Sequence, residues 1–238
     1  LFQPVDLQQA PVSETSDRIQ ENFGGYTYAH IASPDVHVDA DTKQLRMYYQ
    51  GLLPDGDQMT RVAYSMDGLS FTPEDPLLGP PYFRAISHDG RIYVISWGGQ
   101  FLRSSSWDGP FEAGPILSGI GNPGQPDRIL RHAALIIRNE MLHVFYSCIG
   151  DRPESILHTE LPLSENWDTW TAQPEIMLLE PSLEWEGGEL SLEKSEVGAA
   201  EKTVRELRDP CIYEEDGRTY LLYSGAGEAG IGLAEIVW

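Results

Sequence analysis

Four times along this chain a short strand, a turn and two further strands follow one another, the second strand ending in aromatic residues. The clearest copy lies near the end. Asp209-Pro210-Cys211-Ile212-Tyr213 reads as a strand, Asp216-Gly217 as a hairpin turn, and Thr219-Tyr220-Leu221-Leu222-Tyr223-Ser224 as the return strand. Gly230–Ile236 supplies the third. Earlier copies run from Asp35-Val36-His37-Val38 through Leu45–Tyr49 to Thr60–Ser65, and from Phe83–Ile86 through Arg91–Trp97 to Phe101–Ser104. Another runs from Ala133–Ile137 through Met141–Ser147 to Ser155–Glu160. Helical periodicity is almost absent.

The spacing supports the alignment. Asp209 lies 14 residues before Tyr223, Asp35 14 before Tyr49, His132 14 before Tyr146 and Tyr82 14 before Ser96. Repeat starts at 35, 82, 132 and 209 give steps of 47 and 50 residues, then one of 77 that implies an insertion. Short antiparallel units of this length are the signature of a β-propeller, in which each sheet buries its faces and edges against its neighbours. A β-sandwich also uses many short strands but gives no reason for the equal spacing. The expected fold is therefore an all-β propeller forming a single domain over residues 1–238. Phe71, Phe111, Trp167 and Trp170 suit packing between blades.

Two segments interrupt the repeat. Residues 1–29 are polar and then carry Phe23-Gly24-Gly25-Tyr26. They are expected to give a closing strand, or the end of an N-terminal blade that this chain holds only in part. The insertion at about 180–205, between the last two blades, contains Glu184, Glu186, Glu189, Glu193, Glu196 and Glu201. It is either a solvated excursion or a wall over the axial pocket.

Composition narrows the partners. Sixteen Lys plus Arg against 37 Asp plus Glu give a net charge of -21, the opposite of what a phosphate backbone or an anionic membrane surface attracts. Neither nucleic acid nor membrane is an expected partner, whereas a neutral sugar or a cation is compatible. No apolar run approaches the roughly 20 residues that cross a bilayer. The chain starts at Leu1 with no signal-peptide pattern, so a soluble protein of unassigned compartment is expected, as a monomer or small homo-oligomer. Cys148 and Cys211 each fall in an expected strand and are read as buried free thiols, with a single bridge as the alternative. Gly225–Gly230 joins two strands and so lacks the helix of a phosphate-binding loop.

In a propeller the first strands line the axis. The starting column holds Asp35, Tyr82, His132 and Asp209, with His30, Ser33, His37, Arg84, Arg131, Glu206 and Arg208 around it. Two carboxylates, an imidazole and a phenol are reactive groups rather than a core layer. Glycoside hydrolysis needs two carboxyl groups in different protonation states. Asp35 and Asp209 are the candidates for that chemistry, with Glu206 or His132 as proton donor. Arg84, Arg131 and Arg208 are candidates to orient carboxylates or bind an acidic sugar. His30 and His37 complete the polar lining, and Tyr26, Tyr82, Trp97 and Trp107 are candidate stacking surfaces. No cofactor is required. Calcium stays open, although no loop has calcium-binding spacing.

Arg208-Asp209-Pro210, followed by Gly217-Arg218-Thr219-Tyr220-Leu221-Leu222-Tyr223-Ser224-Gly225, resembles a blade signature of five-bladed propeller glycosidases. Ser33-Pro34-Asp35-Val36 followed by Met47-Tyr48-Tyr49 is similar to a blade of the family 43 glycoside hydrolases. The resemblance covers all four units and leaves the individual family unassigned. It implies five blades and a glycosidase with acidic residues on different inner strands. Asp35 and Asp209 match such acids, Glu206 is the nearest candidate for the acid, and His132 resembles an axial histidine of some members. The base expected on the first blade has no equivalent before His30. A non-catalytic carbohydrate-binding or scaffold propeller and a glycoside phosphorylase are the alternatives.

Overall fold

The computed structural model describes residues 30–53, 57–117 and 128–238. The segment with Phe23 and Tyr26 lies outside the described residues. The described chain forms four sheets of sequentially neighbouring strands, the blades of the repeat. The first contains β1 (Ile31–Val38), β2 (Leu45–Leu52), β3 (Gln58–Ser65) and β4 (Thr72–Pro73). The second contains β5 (Arg84–His88), β6 (Arg91–Ile95), β7 (Gln100–Ser104) and β8 (Glu112–Ile116). The third contains β9 (Ile129–Arg138), β10 (Met141–Ile149), β11 (Ile156–Pro162) and β12 (Ile176–Leu179). The fourth has three strands, β13 (Leu207–Glu215), β14 (Arg218–Gly225) and β15 (Gly230–Ile236).

All twelve expected strands are present. The fourth strands β4, β8 and β12 are additions to the sequence reading. Two carry Pro73 and Pro115, which an outer strand tolerates because one side of it makes no ladder.

The first strands share a local irregularity. The β1/β2 register slips between Ala32↔Gln50 and Asp35↔Tyr48, so Ser33-Pro34 together oppose Tyr49. Arg131-His132 likewise oppose Ser147, and Asp209-Pro210 oppose Tyr223. In the second sheet, Trp97 N–H donates to Pro81 O at 3.0 Å while Arg84 pairs with Ile95, so Tyr82-Phe83 oppose Ser96. Ser33, Tyr82 and Asp209 take φ of 55°, 66° and 52°, a left-handed conformation that the bulge imposes on them. The structural column is thus Ser33, Tyr82, Arg131 and Asp209. The 14-residue ruler slipped because arms and turns differ: 39–44 joins β1 to β2, whereas only Asp216-Gly217 joins β13 to β14.

The bulge also corrects one cysteine. Both thiols are free, and Cys148 is buried, but Cys211 is exposed. An extra residue at 209–210 reverses the alternation that follows, turning Cys211 to the open face.

The described residues form two compact units. The first runs up to residue 97 and includes 102–113. Tyr48, Val62, Phe83, Val94 and Leu102 form its core, with Phe111 edge-on to Phe83 at 5.2 Å. The second contains 98–101 and the chain from 114 onward. There Ile156, Leu207, Leu221 and Tyr223 pack together, as do Ala134, Ile136 and Phe145 with Ile212 and Ile236. Trp170 meets Phe101 at 5.7 Å, and the Trp167 ring fills the space a Cβ on Gly114 would need.

The 180–205 excursion is docked rather than freely solvated. Glu186 is 1% exposed and accepts the Ser182 and Leu183 N–H groups at 2.9 Å and the Tyr223 hydroxyl at 2.7 Å. Trp185 lies beside the Tyr223 ring at 6.0 Å and covers Gly225 and Gly232.

Candidate functional site

In the second unit, the bulges of β9 and β13 bring His132 and Asp209 together. His132 Nδ1 meets Asp209 Oδ1, and Ser224 Oγ donates to the other carboxylate oxygen at 2.9 Å. The Asp209 side chain keeps 31% of its surface exposed and that of His132 keeps 13%. Burial would raise the Asp209 pKa, but His132, the Ser224 hydrogen bond and Arg208 outweigh it and hold the carboxyl well below the usual range. Asp209 is therefore a carboxylate at any ordinary pH.

A second charged layer lies one residue away on each strand. Arg131 and Arg208 are each 3% exposed. Arg131 Nε and Nη2 donate to Glu154 at 2.9 and 3.0 Å, and Arg208 Nε lies 3.5 Å from the same carboxylate. Arg208 Nε also donates to Glu206 at 2.7 Å, and Nη1 reaches Glu228 at 3.1 Å. Both arginines donate to Gly198 O, at 3.0 and 3.1 Å, and Arg131 also to Glu196 O and Ser195 Oγ. Burial and the like charge of Glu154 push the Glu206 pKa up against the pull of Arg208.

The first unit holds the other predicted acid. Asp35 Oδ2 accepts the Ala85 N–H at 2.8 Å and lies 2.9 Å from His37 Nε2. Burial would raise its pKa, but the His37 hydrogen bond, the charges of His37 and Arg84 and the Ala85 N–H lower it overall. Arg84 Nη1 donates to Phe83 O at 2.8 Å and Ser33 O at 3.2 Å. His37 packs on Trp107 at 4.8 Å, so Trp107 serves packing there. Tyr82 stacks with Trp97 at 5.2 Å and 28°, both half-buried, and its N–H donates to Gln50 Oε1 at 2.8 Å. His30 precedes β1 and is half-buried.

No protein-family model matches the chain. An uncharacterized protein of Acanthamoeba polyphaga mimivirus is 32% identical over 240 residues, covering 94% of this chain and 66% of that protein, just under two thirds of its length. A family 43 β-xylosidase/α-arabinofuranosidase from a compost microbial metagenome, solved with xylotriose, superposes with a TM-score of 0.58 at 15% identity over 87% of this chain and 70% of the enzyme. The fold is the β-propeller of the family 43 glycoside hydrolases. An N-acetylgalactosamine deacetylase from F. plautii, solved with blood group B trisaccharide, shares this propeller fold with a TM-score of 0.56 at 12% identity over 88% of this chain and 73% of that one.

In this propeller chain the predicted residues fall into three sets. His132 joins Asp209, Asp35 joins His37 and Arg84, and Tyr82 joins Trp97. Arg131, Arg208 and Glu206 are spent on a buried network rather than presented to solvent. Sequence reasoning missed Glu154, Ser195 and Ser224. Ser224 had a signal in its place within the aromatic return strand, whereas Glu154 and Ser195 become visible only through burial. Among the described residues no three His, Cys, Asp or Glu side chains form a cluster able to hold a metal ion. No helix among them is long and apolar enough to cross a membrane.

Proposed function

We propose that this chain is a glycoside hydrolase acting on oligosaccharides or simple glycosides, with the His132–Asp209 pair as its proton-transfer element. The observation that carries this reading is the pair itself: an ionised, partly exposed carboxylate in a strand bulge, gripping an imidazole through Nδ1. A carboxylate on Nδ1 fixes the tautomer and aims Nε2, through which a proton would pass to the departing glycosidic oxygen. Glu206 has the raised pKa that an acid needs, but it is 3% exposed and bonded to Arg208. His132 therefore takes the donor role. Asp35 is the candidate second carboxylate on the chemistry of its ionised side chain alone. Tyr82 and Trp97 offer an aromatic face for a sugar ring. Two fold neighbours were solved with oligosaccharides, which supports that ligand class. A fifth blade, which the resemblance implies, goes beyond the four described.

Recognition without turnover is the second reading. It is favoured by Asp35, whose Oδ2 already serves Ala85 N–H and His37, and the deacetylase neighbour illustrates that one fold carries different reactions. Phosphorolysis loses support, because Arg131 and Arg208 are committed to protein acceptors.

The deciding experiment is a hydrolysis screen against aryl glycosides and plant and algal oligosaccharides, with Asp209→Asn and His132→Asn as controls. Turnover lost in both variants supports hydrolysis. Absent turnover with micromolar binding of the same sugars moves the site to recognition.

A further inference from the structure

The two charged layers between β9 and β13 are adjacent in both strands: Arg131 precedes His132, and Arg208 precedes Asp209. The outer layer joins the strands directly. The inner layer joins them through Glu154, a fully buried carboxylate that belongs to neither strand. Glu154 lies just before β11 and accepts from Arg131, from Ser195 Oγ of the 180–205 excursion, and lies 3.5 Å from Arg208. Its carbonyl accepts Leu207 N–H at 3.0 Å, which ties its backbone to the start of β13. Both strands that carry the pair, β9 and β13, are thus fastened to this residue.

We propose that Glu154 is a positioning residue for the His132–Asp209 pair, holding the two bulges at the separation that keeps the imidazole on the carboxylate. The proposal rests on the hydrolase reading for its catalytic consequence only, since the geometry is measurable without turnover. Arg131 and Arg208 are like charges that point at a common centre, and they repel in a low-dielectric interior unless an anion stands between them. With Glu154 neutral, Glu206 and Glu228 still serve Arg208, but Arg131 retains only neutral acceptors. The strands then relax apart, and the first contact to lengthen is the one a residue away, between His132 and Asp209. A displacement on the order of 1 Å at a proton-transfer pair costs about 100-fold in rate.

The test uses the full chain with Glu154→Gln, Glu154→Asp and Ser195→Ala. The downfield imidazole N–H proton of His132, identified by its loss in His132→Asn, is read by NMR, and kcat and KM are read separately on the best substrate. E154Q is expected to move or broaden that resonance and to lower kcat about 10- to 100-fold, with KM changed less than about threefold. E154D keeps the charge and should retain part of both. A folded E154Q with the wild-type His132 resonance overturns the proposal. If E154Q does not fold, E154D and S195A decide on the same resonance: a shift supports the proposal, and an unchanged signal in both rejects it. A wild-type protein without turnover sinks the hydrolase reading, while the resonance still answers for Glu154.

Discussion

At the scale of single residues, Asp209 and Glu206 show how surroundings separate two nearby carboxyl groups. They lie three positions apart, yet partners push their pKa values in opposite directions. Asp209 bonds to His132 and Ser224 and keeps an exposed face, whereas Glu206 is closed off beside Glu154. Under the proposed hydrolase function, replacing Asp209 by Asn removes the charge that aims His132, and turnover should fall by at least about 100-fold, the scale of one general acid–base group. The Asp209 carboxyl is depressed in the fold, so its charge contributes stability above the unfolded carboxylate value near 3.8 and loses it as pH falls through the lower folded value. Acid inactivation between pH 6 and 4 should therefore be the same in slope for wild type and D209N when read by thermal melting. A slope that flattens in D209N over that window would show that the carboxylate titrates far higher than its contacts require. Asp35 differs in kind, because its carboxylate caps Ala85 N–H across two sheets of one unit. Asp35→Ala should lower stability by about 1–3 kcal/mol, the range for stranding a partly buried donor, as a shift in urea midpoint.

At the scale of elements, the hairpins were legible and the outer strands were not. Asp89-Gly90 and Asp216-Gly217 mark tight turns, and aromatic alternation marks the strands that follow. β4 and β8 lack that alternation, carry proline, and exist because an existing edge accepts them. The bulges were invisible for a related reason: a bulge is a mismatch between two strands, and no single strand records it. Elements also carry a pH-sensitive joint. His143 on β10 and His158 on β11 lie 3.1 Å apart, Nδ1 to Nε2, with planes within 9° and ring centres 5.3 Å apart. That spacing is one hydrogen bond plus two ring radii, so the rings meet edge to edge at hydrogen-bonding distance. Arg138 and Glu160 are the charged groups around the pair, and Phe145 and Trp238 pack against it. Burial lowers both pKa values, with Arg138 adding to the effect at His143 and His143 adding to it at His158. The unfolded chain thus binds these protons more tightly, and the joint stabilises the fold above the ordinary value of 6.5 and weakens as pH falls through the lower folded values. His158→Gln should flatten the fall of Tm between pH 7 and 5 relative to wild type, and parallel curves would remove the joint from acid denaturation. Gly232 provides a steric counterpart on β15. A Cβ there would stand 2.3 Å from the Tyr223 ring and 2.7 Å from Trp185, so Gly232→Ala should cost about 1–3 kcal/mol and shift tryptophan fluorescence as Trp185 is displaced.

At the scale of the whole molecule, the repeat was readable from sequence because a hairpin is local, whereas the charge network joins residues far apart. Arg131 meets Glu154 across 23 positions and Ser195 across 64, and neither separation leaves a periodic trace. The aligned first positions contained Asp209 and His132, whose side chains meet, but spacing could not say that the flanking arginines face inward. The same division between local and distant charge predicts the response to salt. A net charge of -21 implies self-repulsion among surface carboxylates. The attractive pairs that would lose strength in salt are largely sheltered: the Arg128, Arg131 and Arg208 side chains expose 7%, 4% and 4% of their surface. Exposed repulsion is screened within a Debye length of about 10 Å at 0.1 M salt, and buried attraction is screened much less. Added sodium chloride should consequently raise Tm between about 10 mM and 300 mM, the range over which the Debye length falls from about 30 Å to well under 10 Å. Sodium sulfate at matched ionic strength should reproduce at least that rise, because the screened charges are anionic and sodium is the counterion in both. A Tm that falls with sodium chloride would mean that exposed ion pairs, such as Arg218 with Glu235 and Lys202 with Glu193, outweigh the repulsion of the acidic surface.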